Sequence, residues 1–326
     1  MDIIKFKDSK YQIKDLFNLY NQVVKEDHIY EEVDYEFFLN NTINHPEYDE
    51  EGIFLCIIDN MLVAFIMSHI RHIEEGVNYP GYISTIIVDK MYRNRGIGSA
   101  LIDRACSYLK ERGKKKVVFG YISTLNWPWI IPNTTADHNG APGIMVNSDF
   151  YLYLLHHSFH IIDEEDAFYL PLDSFERKER VTNDLKELAK ENIHIELYNN
   201  KIHYGLEEFF AAINSEPFER VIRYNLSLKE PKPFAVVVKD NRIVGWTGAF
   251  YTEKSGRAHF DGIIISPEVR GKGIGRALFS YLAEYSKKNG SKFLTFFTGR
   301  TNFARNIYMF LGFKIVRSFA LMEKDI

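Results

Sequence analysis

Two short stretches of the sequence decide its fold: Arg93-Asn-Arg-Gly-Ile-Gly98 and Arg270-Gly-Lys-Gly-Ile-Gly275. The longer segments that begin with them, Arg93–Phe119 and Arg270–Phe296, align without a gap at a constant offset of 177 residues (270 minus 93). A chance match of this length is improbable, and self-similarity at a fixed offset is the signature of a repeated unit. We therefore interpret the chain as a duplicated domain.

Each copy lies in the same local context. An apolar, β-branched run precedes it, Tyr82–Val88 in the first half and Gly262–Ile265 in the second, and this composition favours a buried strand. A helix with regularly spaced apolar residues follows, and Gly113 or Gly290 stands where a helix C-terminal cap is expected. Both halves are thus predicted to contain a strand–turn–helix unit.

The segments upstream of these units also correspond. Asp59-Asn60 and Asp240-Asn241 are suited to the positive φ of tight hairpins, so each dipeptide is predicted to join two strands. The predicted strand pairs are Ile53–Ile58 with Val63–Ser68, and Phe234–Val238 with Ile243–Ala249. The predicted helices are Lys10–Val24, Tyr35–Asn44, Tyr204–Asn214 and Phe218–Leu228.

The charged stretch Asp173–Asn192 has helical periodicity and is interpreted as a linking helix. The predicted organisation is therefore a first domain at residues 1–172, a linking helix at 173–192 and a second domain at 193–326. A chain of 326 residues suits two domains, since domains commonly run ~100–200 residues.

The two glycine turns are suited to binding an anion. A helix N-terminus presents unpaired N–H groups and a partial positive charge, and glycines let phosphate oxygens approach the backbone. Rival phosphate motifs fit less well, because a dinucleotide fingerprint needs a third glycine where Leu101 and Leu278 stand. The flanking cations are Arg93, Arg95, Arg270, Lys272 and Arg276. This set fits a pyrophosphate such as that of coenzyme A.

At this point the sequence resembles the GCN5-related N-acetyltransferase (GNAT) family. The resemblance is carried by Ile265-Ser-Pro-Glu-Val-Arg-Gly-Lys-Gly-Ile-Gly275 and by Ala304-Arg-Asn-Ile-Tyr-Met-Phe-Leu-Gly-Phe313. It implies an α/β fold in which each unit is a mixed, splayed β-sheet flanked by helices. The tandem arrangement also resembles that of the mycothiol synthases, although the strand glutamate expected there is absent.

The resemblance further implies an acetyl-CoA cofactor wedged between the two separating central strands. The cofactor-binding residues it implies in the second half are Ile263, Ile264, Ile265, Arg270, Gly271, Lys272, Gly273, Ile274, Gly275, Arg276 and Asn302. Those in the first half are Ile86, Ile87, Val88, Arg93, Asn94, Arg95, Gly96, Ile97, Gly98, Ser99 and Asn147.

Acetyl transfer to an amine needs a base for the ammonium and an acid for the departing thiolate. The family's acid is commonly a tyrosine four residues before a Gly-Phe pair, which is Tyr308 here, whereas the same position in the first half holds Leu154. Tyr153 is adjacent, but one helical step rotates it by about 100°. For the base, His259 and Asp261 share a strand face and both stay open.

In the first half Tyr82 and Ser84 occupy the base positions, so that sequence offers no carboxylate there. Our hypothesis is therefore a catalytic second half and a degenerate first half whose intact turn still allows CoA to bind. The long connection Ile122–Val146 contains Trp127 and Trp129. A substrate lid, an inter-domain plug and packing of the tryptophans against the other unit all stay open for it.

Composition narrows the class of protein. A net charge of -4 argues against a general nucleic-acid binder, because neutralising phosphates needs a basic surface. The apolar runs fall short of a membrane span, the start lacks a signal-peptide pattern, and Cys56 and Cys106 suggest buried thiols, so we expect a cytoplasmic protein. No ligand-spaced set accompanies His156, His157 and His160, so no metal is predicted.

The predicted function is acetylation of a primary amine on a small molecule by direct attack on the thioester. A protein N-terminus or lysine is the alternative acceptor, and a non-catalytic acyl-CoA sensor is the alternative outside enzymology. The expected partner is thus a small-molecule amine, with the chain a monomer or homodimer. The acceptor pocket cannot be named from fold-level resemblance.

Overall fold

The computed structural model of the chain describes residues 1–27, 29–71, 79–120, 127–138 and 140–326. They form two compact units, one of residues 1–167 together with 316–326 and one of residues 168–315. No helix among the described residues is long and apolar enough to cross a bilayer.

The elements of the chain up to the second unit are as follows. The helices are α1 (Ile13–Asp27), α2 (Tyr35–Asn40), α3 (Ile97–Glu111) and α4 (Asp149–His156). The strands are β1 (Asp2–Lys5), β2 (Ile53–Ile58), β3 (Met61–Ile70), β4 (Gly81–Val88), β5 (Lys116–Phe119), β6 (Trp129–Ile130), β7 (Asp137–His138), β8 (Ile144–Met145) and β9 (His160–Pro171).

The remaining elements follow the same pattern. The helices are α5 (Glu179–Lys190), α6 (Leu206–Ile213), α7 (Glu216–Ser227), α8 (Ile274–Lys288) and α9 (Arg305–Leu311). The strands are β10 (Ile193–Leu197), β11 (Ala235–Lys239), β12 (Arg242–Gly248), β13 (Tyr251–Thr252), β14 (Ala258–His259), β15 (Gly262–Ile265), β16 (Phe293–Gly299) and β17 (Lys314–Asp325).

The first unit is built on a mixed sheet in the order β1-β2-β3-β4-β5-β17-β9. β1 to β4 are antiparallel, β4 and β5 are parallel, and β17 is antiparallel to β5. One apolar cluster packs α3 against this sheet through Leu101, Ala105 and Leu109. A second cluster packs α1 and α2 against it through Leu16, Tyr20 and Phe38.

The second unit repeats the design. β10, β11, β12 and β15 form an antiparallel sheet, and β16 lies outside that sheet. The main apolar cluster includes Val237, Leu278, Leu282 and Leu294, while α6 and α7 bury a separate cluster. Sheets flanked by helices are thus present in both units, mixed in the first and antiparallel in the second, which confirms the predicted α/β fold class.

Both predicted hairpins are confirmed. Asp59 and Asn60 have φ of 48° and 61°, and Asp240 and Asn241 have φ of 51° and 64°. These left-handed conformations let each dipeptide reverse the chain within two residues. The predicted helices are present with shifted ends.

The compact units divide the chain differently from the predicted boundaries. Residues 316–326 belong to the first unit because β17 pairs with β5 there, from Met322 opposite Phe119 to Asp325 opposite Lys116. Helix α5 belongs to the second unit, where Val181 and Leu188 are buried in its apolar cluster. The predicted linking helix is therefore an integral part of the second unit.

The long connection of the first unit is folded into that unit. Trp127 stacks on Tyr20 with ring centroids 4.2 Å apart, and its indole nitrogen donates a hydrogen bond to the Thr85 hydroxyl at 2.7 Å. Trp129 is fully buried and stacks on His138. Trp127 thus packs within the first predicted domain, whereas Trp129 also contacts Phe319, with ring centroids 5.3 Å apart, and Arg317. Both partners lie in the segment predicted to belong to the second domain but found in the first compact unit, so packing against the predicted second domain is confirmed for Trp129 alone. Residues 122–126 and Asn139 of this connection lie outside the described residues.

Candidate functional site

The glycine turn of the first unit is held open by its backbone and by one arginine. Gly96 precedes α3 with a left-handed φ of 79°, and Asn94 has a φ of 59°. Arg93 donates from Nε to the carbonyl of Val88 at 3.0 Å and pairs through its other two nitrogens with Asp27. Arg93 therefore ties the turn to the end of β4 and to α1.

This turn opens onto a cleft of about 610 Å³. The end of α1, the end of β4, the start of α3 and the start of α4 form its walls. Most of the cofactor-binding residues predicted for the first half line it: Ile86, Ile87, Val88, Arg93, Asn94, Gly96, Ile97, Gly98, Ser99 and Asn147. Arg95 is exposed on the turn and stands over the Tyr92 ring.

The cleft exists because β4 and β5 separate. Among the residues that the structure describes, which leave out 121–126, they pair in parallel only at Gly81 with Val117 and at Tyr82 with Val118. Beyond these pairs β4 continues to Val88, so its edge there is available to an extended ligand with amide groups. An anion on the turn and an extended amide chain along β4 would together fill the cleft.

Tyr153 also reaches this cleft, although the family spacing selects its neighbour Leu154. Its hydroxyl lies 2.7 Å from the Ser99 hydroxyl, and both residues line the cleft wall. Burial raises the pKa of Tyr153 although the bond to Ser99 opposes this, so the phenol stays protonated at neutral pH. The neighbouring Leu154 is fully buried in the core. The position that faces the cleft thus comes one residue before the position that the family spacing selects.

The equivalent turn of the second unit has the same backbone. Gly273 has a φ of 83°, and Arg270 donates from Nε to the carbonyl of Ile265 at 3.0 Å. Here, however, a carboxylate of the chain itself lies on the turn. Asp184, on α5, accepts hydrogen bonds from Arg276 at 2.8 and 3.0 Å, and a Cβ added to Gly273 would lie 2.6 Å from its carboxyl carbon.

The other second-unit cations are also engaged. Lys272 pairs with Glu191, which follows the end of α5. Ile307, equivalent to Tyr153, reaches the glycine turn, since its Cδ1 would lie 3.0 Å from a Cβ added to Gly275. Acidic and apolar side chains of the unit therefore cover the turn that the sequence predicts for pyrophosphate.

Tyr308 lies in the core of the second unit. It is 6% exposed, and its ring lies 4.6 Å from that of Phe296 and 4.9 Å from that of Phe279, centroid to centroid. Burial raises its pKa, although a hydrogen bond with Thr298 opposes this. Phe260, just before β15, contacts Phe296 of β16, so aromatic rings occupy the space beside these strands. Asn302 accepts a hydrogen bond from the Ala304 N–H at 2.9 Å.

His259 and Asp261, the two candidate bases, form one ion-paired cluster. The imidazole lies 3.1 Å from Asp261 on one side and 3.0 Å from Glu253 on the other. Burial lowers the pKa of His259, but the two carboxylates outweigh it and raise the pKa to about 9. Burial likewise raises the pKa of Asp261, yet its bonds with His259 and the Ala249 N–H bring it below the ordinary value. A protonated imidazole cannot accept another proton, so this arrangement favours an ion-pair role at neutral pH.

This cluster predicts a pH-dependent stability. The pKa of His259 is raised from 6.5 to about 9, so its contribution is fully present below about pH 6.5 and is lost as the pH rises through 9. The free energy of unfolding of the wild type should therefore fall more steeply between pH 7 and 9 than that of His259→Gln. Urea unfolding at pH 6, 7.5 and 9 measures this, with the exposed His194→Gln as control. Equal slopes for His259→Gln and wild type would contradict the assignment.

The sequence is similar to that of known proteins. The acetyltransferase (GNAT) family model matches residues 11–126 and 200–313, so both units match it separately. An uncharacterised N-acetyltransferase of Methanocaldococcus jannaschii is 39% identical over 72 residues, or 21% of this chain and 31% of that protein. The alignment thus spans about a third of the length of that relative.

Solved structures resemble the whole chain in fold. A GCN5-related N-acetyltransferase from Sphaerobacter thermophilus superposes with a TM-score of 0.59 at 16% identity, covering 95% of this chain and 91% of that one. A tandem GNAT protein from the clavulanic acid biosynthesis pathway gives a TM-score of 0.59 at 12% identity, covering 99% and 98%. At these identities the likeness concerns the fold alone.

Proposed function

Because the chain belongs to the acetyltransferase (GNAT) family, we propose that it is an acetyl-CoA-dependent N-acetyltransferase acting on a primary amine of a small molecule. We further propose that the first unit holds acetyl-CoA. The observation that carries this is the cleft of about 610 Å³ on which the first glycine turn, the open part of β4 and Tyr153 converge. The chemistry supplied by acetyl-CoA is an activated acyl group on a thiol.

The cleft residues fit such a ligand. The N–H groups at the start of α3 and the side chain of Arg95 offer positive charge to a pyrophosphate. The edge of β4 from Ile86 to Val88 offers backbone groups to the pantetheine amides. Tyr153 offers a protonated phenol to the departing thiolate.

In this proposal the acceptor nitrogen attacks the thioester carbon directly. The C–N bond forms, the C–S bond breaks, and the sulfur takes the phenol proton of Tyr153. Ser99, 2.7 Å from that phenol, keeps it oriented. The ammonium first loses one proton to solvent to give the attacking amine, and the nitrogen loses a second proton to a base as the C–N bond forms. The Tyr153 phenolate regains a proton from solvent, so the net products are the amide, the thiol of CoA and one proton.

The assignment to the first unit departs from the hypothesis of a catalytic second half. It is supported by Asp184, which lies on the second turn with its carboxylate against Gly273 and Arg276. A fixed carboxylate there would repel a pyrophosphate. Tyr308 stays a candidate acid, and comparing the kcat of Tyr153→Phe with that of Tyr308→Phe distinguishes the two candidates. Two unpaired cysteines, Cys56 and Cys106, also support a reducing, cytoplasmic location.

The test is release of CoA from acetyl-CoA by the purified protein across a panel of amino sugars, polyamines, amino acids and a peptide with a free N-terminus. Release that depends on one small amine supports the proposal. Release only with the peptide would favour a protein acceptor. Binding of acetyl-CoA without release by any member would favour an acyl-CoA sensor.

A further inference from the structure

A second, much smaller cavity lies beside β4 in the first unit. It has room for about one water molecule, with a volume of about 20 Å³. Its polar lining comes from Asn41, Thr42, His45, Glu47, Tyr48, Asp49, Ser68, His69 and Ser84. A buried polar cavity is costly unless its groups are used, so this one calls for a chemical explanation.

The cavity is centred on a buried carboxylate and a buried imidazole. Glu47 and His69 are each 3% exposed, and Glu47 Oε2 lies 3.7 Å from His69 Nε2. Arg71 donates to the other carboxylate oxygen at 3.1 Å. Burial lowers the pKa of His69 to about 4 even though Glu47 raises it, so the imidazole is neutral at physiological pH. A neutral ring keeps one nitrogen able to accept a proton.

His69 is surrounded by charged and aromatic groups of the same unit. The charged and titratable groups near it are Glu47, His45, Asp49 and Arg71. The Tyr82 ring stacks on the imidazole, with centroids 5.6 Å apart. The stacking and the carboxylate together fix the plane of the ring.

The small cavity and the larger cleft are both lined by residues of β4. The register of β3 with β4 changes after Met67 and leaves Ser84 as an extra, bulged residue of β4. Ser84 lines the small cavity, and Ile86, two residues on, lines the large cleft. At ~3.4 Å per residue these positions are roughly 7 Å apart along one strand.

Strand β4 also sets the distance between the glycine turn, where the phosphates would bind, and the small cavity. From Val88, beside the glycine turn, back to Ser84 the strand spans roughly 14 Å. A pantetheine arm, with its two amides, is comparable in length to a short extended peptide. A molecule anchored at the turn and lying along β4 would therefore present its thioester near the bulge.

We propose that His69, positioned by Glu47, is the proton acceptor for the acceptor amine in the first unit. This rests on the proposed function. As the C–N bond forms, the nitrogen loses most of its affinity for its proton, and the proton moves to an imidazole nitrogen of His69, directly or through the one water that the cavity can hold. Glu47 stabilises the resulting imidazolium, and the proton passes to solvent when the product leaves.

The spacing in the sequence could not indicate this pair, because the family pattern places the base on the central strand, at Tyr82 or Ser84 in this unit. His69 stands on β3 and Glu47 in the connection after α2, and only folding brings them beside Ser84. The small cavity also limits the acceptor class, since it has room either for that one water or for the nitrogen of a primary amine. A branched or secondary nitrogen should be excluded.

The test uses the full-length chain and the panel amine with the highest kcat/KM. In His69→Ala, kcat should fall on the order of 100-fold, while the Kd for acetyl-CoA measured by calorimetry stays within about twofold. Imidazole added to the buffer should restore part of the rate of His69→Ala but none of the rate of His69→Gln, whose side chain fills the space. Glu47→Gln should lower kcat without such rescue.

His160→Gln is the matched control, since His160 is an exposed histidine of the same unit. A His69→Ala rate above half that of the wild type would overturn the proposal, as would a loss that imidazole does not restore. If His69→Ala does not fold, wild-type kcat in folded His69→Gln would overturn it equally. A wild type without amine-dependent release would instead refute the proposed function.

Discussion

Replacing Gly98 by glutamate should weaken acetyl-CoA binding by on the order of 100-fold, or about 2.7 kcal/mol. Gly98 lines the large cleft, and a Cβ added to it would meet no atom within 4 Å, so the fold should tolerate the new side chain. The added carboxylate would stand at the start of α3, where an approaching pyrophosphate would be repelled. Titration calorimetry with acetyl-CoA measures the loss, and thermal melting checks that the variant is folded.

The matched control is Gly275→Glu, the equivalent position of the second unit. Its Cβ would meet only the end of the flexible Ile307 side chain at 3.0 Å and the Ile265 side chain at 3.8 Å. Asp184 already places a carboxylate on that turn, so the affinity of the chain for acetyl-CoA should change by no more than about twofold. Loss of binding in Gly275→Glu with none in Gly98→Glu would reverse the assignment of the two units.

Tyr153→Phe should lower kcat on the order of 100-fold and leave the Kd for acetyl-CoA nearly unchanged, because removing a general acid typically costs a factor of 10²–10⁴. The phenol lies in the cleft wall and its ring would remain in place. Steady-state CoA release and calorimetry together separate the two quantities. With an aryl thioester as acyl donor, the kcat of Tyr153→Phe should fall less, because an aryl thiol has a low pKa and leaves without taking up a proton.

Tyr308→Phe is the paired variant. Its hydroxyl bonds with Thr298 among packed aromatic rings, so its removal should cost about 1 kcal/mol of stability and little activity. A sharp fall of kcat in Tyr308→Phe, with Tyr153→Phe unaffected, would support the family-spacing hypothesis and a catalytic second unit.

Local sequence chemistry was sufficient to predict much of the fold. Dipeptides such as Asp59-Asn60 encode a hairpin through their tolerance of positive φ, and Gly96 and Gly273 encode the strand-to-helix turn. The pairing partner of β17 could not be predicted in this way. An alternating apolar strand specifies a buried face but not which of two similar sheets receives it, because that choice depends on contacts more than two hundred residues apart in sequence.

The candidate site could be predicted only where its residues are contiguous in sequence. The cofactor residues of the first half come from one contiguous strand–turn–helix segment, so the sequence places them together. Asp184 and Tyr153 act through tertiary placement, and spacing alone assigned neither. Leu154 and Tyr308 share the family spacing and both point into a core, while the adjacent position, Tyr153 or Ile307, faces the turn. A rotation of about 100° between neighbours thus separates a core position from a site position.

The placement of β17 has a consequence for biosynthesis. Residues 1–167 emerge from the ribosome long before residues 316–326, yet the first unit needs the latter to cover the edge of β5. An N-terminal domain usually folds before the next domain is synthesised, but here the first unit can be completed only after the second unit has been synthesised. A nascent chain arrested before residue 316 should be cut by protease within residues 1–167, and one carrying residues 316–326 should be protected there. Equal protection of both would mean that the first unit folds without its borrowed strand.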